Sequence, residues 1–213
     1  MPIEIKICGL KTTATVEAAL VAGADLLGFV VFPRSPRNVT PAEAHTLSIS
    51  ARGRAKIVAL LVDPDDALLD IVVKTIAPDI LQLHGHETPE RCAAVKAKFK
   101  TSVMKAVGVS TAADLAEIAT YRGVVDRILL DAKPPPESAL PGGNGHTFDW
   151  ALIADLGRTE PFMLSGGLNA FNVAHALQVT AAPAVDVSSG VETTPGVKSS
   201  ELIRAFIKSV RSV

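Results

Sequence analysis

A repeated alternation constrains this chain more than any other feature. Short runs rich in Val, Ile and Leu recur along its whole length, each followed by a stretch with helical patterning. Strands are predicted at Ile3–Cys8, Asp25–Val31, Lys56–Val62, Asp79–His84, Ser102–Val107, Asp126–Asp131, Pro161–Ser165 and Ala184–Val187. Helices are predicted between them at Ala14–Val21, Pro41–Ser50, Asp66–Ile76, Pro89–Phe99, Ala112–Tyr121, Phe148–Leu156, Asn169–Leu177 and Ser199–Val210. Units of this kind, repeated roughly eight times at a spacing of about 25 residues, predict an α/β fold of the (βα)8 TIM-barrel type. A doubly wound open sheet also alternates strand and helix. It more commonly has about five or six strands, and no Gly-x-Gly-x-x-Gly follows the first strand here.

No linker, charge block or low-complexity segment divides residues 1–213, so a single barrel domain is expected. The longest irregular stretch, Ala132 to Thr147, combines Pro134-Pro135-Pro136 with Gly142-Gly143-Asn144-Gly145. Stiff and mobile parts in one long loop suit a lid over a site, or a tolerated surface insertion.

The totals narrow the function classes. A formal net charge of -1 gives no electrostatic case for nucleic acid or an anionic membrane. Aromatic content of 4% argues against stacking platforms for single strands. The longest apolar run, Leu26 to Phe32, is too short to span a bilayer, and Glu4 and Lys6 interrupt the first apolar stretch, unlike a signal peptide. With 2 Cys no disulfide framework is plausible, which favours a reducing cytoplasm. No His/Cys/Asp spacing suggests a metal site: His45, His86, His146 and His175 share no pattern.

In a barrel of this kind the site lies at the C-terminal ends of the strands. Those positions hold Cys8, the loop Phe32-Pro33-Arg34-Ser35-Pro36-Arg37, Asp63, Gln82 with His84, Asp131, Ser165-Gly166-Gly167 and Asp186-Val187-Ser188-Ser189-Gly190. Cys8 reads either as a small buried apolar residue or as a reactive thiol beside the ammonium of Lys6, which would favour the thiolate. Asp131 reads as a barrel ion pair or a general acid, and Arg37 as a solvated charge or a bidentate carboxylate grip. His84 reads as a satisfied core histidine or a direct participant. The glycine-rich loops after strands seven and eight suit a phosphate, with backbone N–H donors at Gly166, Gly167, Ser188, Ser189 and Gly190 and the next helix starting at Asn169. Cys92 falls within a helical pattern and reads as packing or surface.

Several blocks, taken in order, carry a resemblance. They are Lys6-Ile7-Cys8-Gly9, Ser35-Pro36-Arg37-Asn38-Val39, Leu81-Gln82-Leu83-His84-Gly85, Leu129-Leu130-Asp131, Phe148-Asp149-Trp150, Ser165-Gly166-Gly167-Leu168 and Asp186-Val187-Ser188-Ser189-Gly190-Val191-Glu192. Together they resemble the phosphoribosylanthranilate isomerases of tryptophan biosynthesis, from the first strand to the last. The chain departs from that pattern at His86, where the family often has an acidic residue, and at His146, where lysine often follows the glycine loop.

The resemblance implies an Amadori rearrangement of N-(5'-phosphoribosyl)anthranilate by general acid–base catalysis, with no metal and no organic cofactor. It implies Cys8 as base, Asp131 as acid, Arg37 on the anthranilate carboxylate, and Gly166, Gly167, Ser188, Ser189 and Gly190 as the phosphate cradle. Gln82 and His84 are expected to line the pocket, and Asp186 to contact a ribose hydroxyl or orient the cradle. The expected partner is a small phosphoribosyl substrate, with the protein a monomer or homodimer. Other readings are a different phosphosugar isomerase or epimerase on the same barrel, or a non-catalytic phosphoribosyl-binding protein. The related histidine-pathway isomerase would be expected to hold aspartates where this chain has Cys8 and Val107 or Gly108.

Overall fold

A computed structural model describes residues 2–133, 141–143, 145–154, 156 and 160–213. Pro134–Pro136 and Asn144 of the long loop, and part of the helix expected over Phe148–Leu156, lie outside the described residues.

Eight parallel strands close into a barrel in sequence order. They are β1 (Glu4–Cys8), β2 (Leu26–Val30), β3 (Lys56–Leu61), β4 (Ile80–Leu83), β5 (Ser102–Val109), β6 (Arg127–Ala132), β7 (Met163–Leu164) and β8 (Ala184–Val187). The barrel shuts where β1 pairs β8, with Lys6 opposite Asp186. Each strand feeds two cores, because successive side chains point to opposite faces. Leu26, Val58, Ile80, Met104, Ala106, Leu129, Met163 and Ala184 fill the interior. The alternate residues, among them Ile5, Ile7, Leu27, Phe29, Ile57, Leu81 and Val107, pack against the surrounding helices.

Two helices, Asp66–Ile76 and Pro89–Phe99, begin and end where the sequence predicts. Their starts are fixed by Asp65 and Thr88, whose side-chain oxygens accept the amides of Leu68 and Arg91. Elsewhere the boundaries move. Asn169 does not start a helix: its Oδ1 accepts from the amides of Phe171 and Asn172, and Asn172 Oδ1 accepts from Asn169 N at 2.8 Å. This side-chain-closed turn delays the helix to Val173–Thr180. Strand seven is shorter than predicted, Met163–Leu164, and Trp150–Ile153 forms a 3-10 turn. Beyond β8 a small hairpin, β9 (Glu192–Thr194) with β10 (Val197–Lys198), precedes the Ser200–Arg211 helix. The sequence did not suggest that hairpin.

The N-terminal end of the barrel is tied by a repeated device. Asp25, Asp79 and Asp126 stand just before β2, β4 and β6, and each accepts the amide of the preceding odd strand. The pairs are Ile5 N at 2.8 Å, Ile57 N at 2.7 Å and Val103 N at 2.8 Å. Satisfying the first free amide of three strands fixes their stagger at that end.

Candidate active site

At the opposite end a cavity is lined by residues from most of the strand ends. Cys8, Arg37, His84, Asp131, Gly166, Gly167, Asp186, Ser188 and Ser189 all reach it. The opening strand and the sixth therefore deliver a thiol and a carboxyl to one mouth. Gln82 is fully buried beneath this wall and touches it through His84.

Asp131 Oδ1 accepts the amide of Ala132 at 2.9 Å, and Oδ2 lies 3.2 Å from His84 Nε2. Gln82 Nε2 stands 3.0 Å from His84 Nδ1. With the amide donating to Nδ1, the imidazole holds its proton on Nε2 and donates it to Asp131. His84 is thus neither an isolated core histidine nor a free group. Gln82 Oε1 is buried without a hydrogen-bond partner among the described residues.

The loop carrying His84 is clamped from outside. Glu87 accepts Gly85 N, Asp63 N at 2.8 Å and Lys105 Nζ at 2.8 Å, and Tyr121 Oη donates to its carbonyl. Lys105 and Glu87 are both buried, a pair whose desolvation is offset by these extra hydrogen bonds. Cys92 packs under the same clamp as a buried thiol, with burial pushing it up to about 11. His86 is exposed and its amide donates to Asp63 Oδ1 at 2.6 Å, so this position serves the loop.

Cys8 differs from the sequence expectation in one respect. Lys6 does lie close, but its Nζ is committed to Asp186 Oδ1 at 2.9 Å, inside the barrel. Burial pushes the Cys8 thiol up and outweighs the opposing pull of Lys6 and Lys198, while Asp186 adds to the rise. Lys6 therefore does not favour the thiolate as the sequence suggests; desolvation wins over a neighbour already neutralised. Asp186 is likewise engaged, holding Lys6 and receiving Ser165 Oγ at 3.3 Å, so it braces the cavity floor.

Arg37 is not a solvated charge. Its Nε and one NH2 proton grip Glu192 Oε1 and Oε2 at 2.8 and 2.9 Å, and NH2 also donates to Gly143 O at 3.1 Å. Nothing in the sequence tied Arg37 to Glu192, because 155 residues separate them. The loop after β7 is pressed from both sides: a Cβ at Gly190, after β8, would fall 1.8 Å from Leu168 O, and one at Gly167 would fall 2.7 Å from the backbone of His146, after β6. Only glycine allows that approach.

Sequence reasoning missed an apolar wall. Cys8, Val30 and Leu60 cluster with Phe32 and Val62 on one side of the mouth. The alternation of β2 and β3 carried the signal, since both strands continue their inward apolar register past the barrel core.

A closed eight-stranded parallel barrel, with its chemistry-bearing groups converging at the carboxyl ends of the strands, defines a TIM-barrel enzyme. Residues 5–209 match the family model described as N-(5'phosphoribosyl)anthranilate (PRA) isomerase. The N-(5'-phosphoribosyl)anthranilate isomerase of Azorhizobium caulinodans is 58% identical over 212 residues, covering 100% of this chain and 93% of the relative. That of Rhizobium meliloti is 55% identical, covering 99% and 98%. Among solved structures, phosphoribosyl anthranilate isomerase from Thermotoga maritima superposes with a TM-score of 0.89 at 36% identity, covering 99% of this chain and 100% of that one. A second, in complex with reduced 1-(o-carboxyphenylamino)-1-deoxyribulose 5-phosphate, gives 0.86 at 34% identity, again covering 99% and 100%. The chain belongs to the N-(5'-phosphoribosyl)anthranilate isomerase family. It is an isomerase that carries out the Amadori rearrangement of tryptophan biosynthesis.

Proposed function

We propose that Asp131 and Cys8 are the acid and base of this rearrangement, and that the barrel acts as one catalytic domain. The observation that carries the assignment is their convergence on one cavity beside the two glycine-rich loops. Asp131, as a carboxylic acid, protonates the furanose ring oxygen while the anthranilate nitrogen lone pair forms the C1–N double bond and the C1–O bond breaks. The carboxylate left behind is stabilised by the Ala132 amide and by His84 Nε2–H. The cationic imine acidifies the proton on C2. Cys8 removes it, the electrons of the C2–H bond form the C1=C2 double bond, and the C=N π pair returns to nitrogen. Enolamine-to-ketone tautomerisation gives 1-(2-carboxyphenylamino)-1-deoxyribulose 5-phosphate.

A buried thiol needs help to act as base. The imine cation forms next to the sulfur and favours the thiolate at the step that uses it. Val30, Phe32, Leu60 and Val62 offer an apolar face for the anthranilate ring, and Arg37 offers N–H donors for its carboxylate. Backbone groups at Gly166, Gly167, Ser188, Ser189 and Gly190 hold the phosphate, with Gln82 and His84 supporting the acid and Asp186 the floor. The near-neutral charge of -1 fits a soluble cytoplasmic enzyme, monomer or homodimer, acting on this small substrate without nucleic acid or membrane.

Conversion is read as loss of anthranilate fluorescence. C8A should abolish turnover while still binding the reduced product analogue. Wild-type kcat in C8A would remove Cys8 from the base role.

A further inference from the structure

The hairpin after β8 has no part in the rearrangement itself, yet it carries two buried charges to the rim of the cavity. Antiparallel pairing sets Lys198 opposite Glu192. Lys198 Nζ donates to Glu192 Oε1, to Ser188 O at 3.0 Å and to Ser188 Oγ at 3.2 Å. Glu192 also accepts Gly196 N at 3.2 Å and both the Nε and NH2 donors of Arg37. The side chains of Arg37, Glu192 and Lys198 are 6%, 3% and 2% exposed, so water cannot stand in for any of these partners. Burial raises Glu192, yet Arg37 and Lys198 outweigh it and hold the carboxyl below its usual range.

Two cations around one carboxylate leave the cluster with a net positive charge. They also leave one edge of the guanidinium uncommitted. Nε and NH2 face Glu192, NH2 reaches Gly143 O, and NH1 has no hydrogen-bond partner among the described residues. NH1 lies against Gly143, where an added Cβ would fall at 2.4 Å, and Arg37 and Gly143 both line the cavity. The stem of Arg37 runs over Gly9, so the guanidinium is gripped at its base and on one edge.

We infer that Glu192 is a specificity-determining positioning residue: by holding the Nε–NH2 edge of Arg37, it presents NH1 to the carboxylate of the substrate. The inference rests on the reading of Arg37 as the carboxylate contact. A guanidinium has five donors in a rigid plane, so fixing one edge fixes where the other points. Without Glu192, Arg37 and Lys198 repel, and the guanidinium is free to turn away from the cavity.

The test compares two substrates, N-(5'-phosphoribosyl)anthranilate and N-(5'-phosphoribosyl)aniline, which differ only in the carboxylate. E192Q keeps the shape of the side chain but turns one acceptor into a donor. It should raise KM for the anthranilate compound about tenfold, the scale of one charge-assisted hydrogen bond. The aniline compound's KM and both kcat values should stay within about twofold. R37A should show the same selectivity more strongly. If R37A is selective and E192Q is not, the positioning role is wrong while the Arg37 reading stands. If R37A raises both KM values equally, the carboxylate reading fails and the inference falls with it. Equal rises in E192Q alone would mean a purely structural role. E192D keeps the charge on a shorter arm and covers the case in which E192Q does not fold. It should lose part of the selectivity, and an unchanged ratio there overturns the inference.

Discussion

Carboxylates stand at both ends of the barrel, and their partners differ. At the N-terminal end Asp25, Asp79 and Asp126 each accept a backbone amide, and Asp25 and Asp126 also hold Arg211 and Lys96. At the C-terminal end Asp131 has an amide on one oxygen and a histidine on the other, and it faces an open cavity. Backbone partners cannot move, so the first set fixes geometry. On the proposed reading Asp131 is a proton donor, so the same residue type is a rivet at one end and a reagent at the other.

Substitutions that treat the two ends alike should give opposite results. The largest effect belongs to D131N, which keeps shape but has no proton to give. Its kcat should fall by about two to four powers of ten with an unchanged melting curve. A loss of stability matching the loss of rate would make Asp131 another rivet.

Next is G190A. The Cβ would press on Leu168 O, which must shift, at a cost of about 2 kcal/mol in stability. KM should rise with it, and inorganic phosphate should inhibit the variant less than the wild type. Unaltered phosphate inhibition would separate these loops from the anion.

The third concerns pH. The profile of kcat/KM reports the free enzyme. With the Cys8 thiol pushed above its ordinary 9.0 by burial, the active thiolate grows throughout the neutral and mildly alkaline range. In D131N, where the acid no longer titrates, the residual rate should therefore rise about tenfold per pH unit there, with no plateau below the ordinary value. A plateau near neutrality would mean that another group sets the base.

The smallest effect is expected from D126A, which removes one rivet and leaves kcat alone. A half-exposed carboxylate with one amide and one lysine contributes about 1 kcal/mol once solvent screening is allowed for. Burial opposes the charged form, but Lys96 and the Val103 amide win and depress the folded value below 3.8. A depressed value means that the contribution is present above 3.8 and is lost as pH falls through the folded value. Urea denaturation should therefore separate D126A from wild type at neutral pH, and the two should converge in acid.

Much of this was legible in the sequence because it is local. Alternation placed all eight strands, and the bounds of the Asp66–Ile76 and Pro89–Phe99 helices were legible to the residue. Polar residues at strand ends gave the cavity wall. What escaped depends on partners far along the chain. Lys6 looked like an activator of Cys8 because its neighbour in sequence was visible, while Asp186 lies 180 residues away. Glu87 with Lys105, and Arg37 with Glu192 and Lys198, escaped for the same reason. Asn169 failed as a helix start because Asn172 offered its amide a competing acceptor.

The pairing of Lys6 with Asp186 bridges the seam where the first strand meets the last. A growing polypeptide that has not yet made β8 carries an ammonium destined for a dry interior with nothing to neutralise it. It also has the sulfur of Cys8 without the Ser188-Ser189-Gly190 turn proposed to hold the phosphate. Closure of the cylinder and onset of turnover should therefore coincide, and a half-finished chain should have neither a stable seam nor a partial activity to leak.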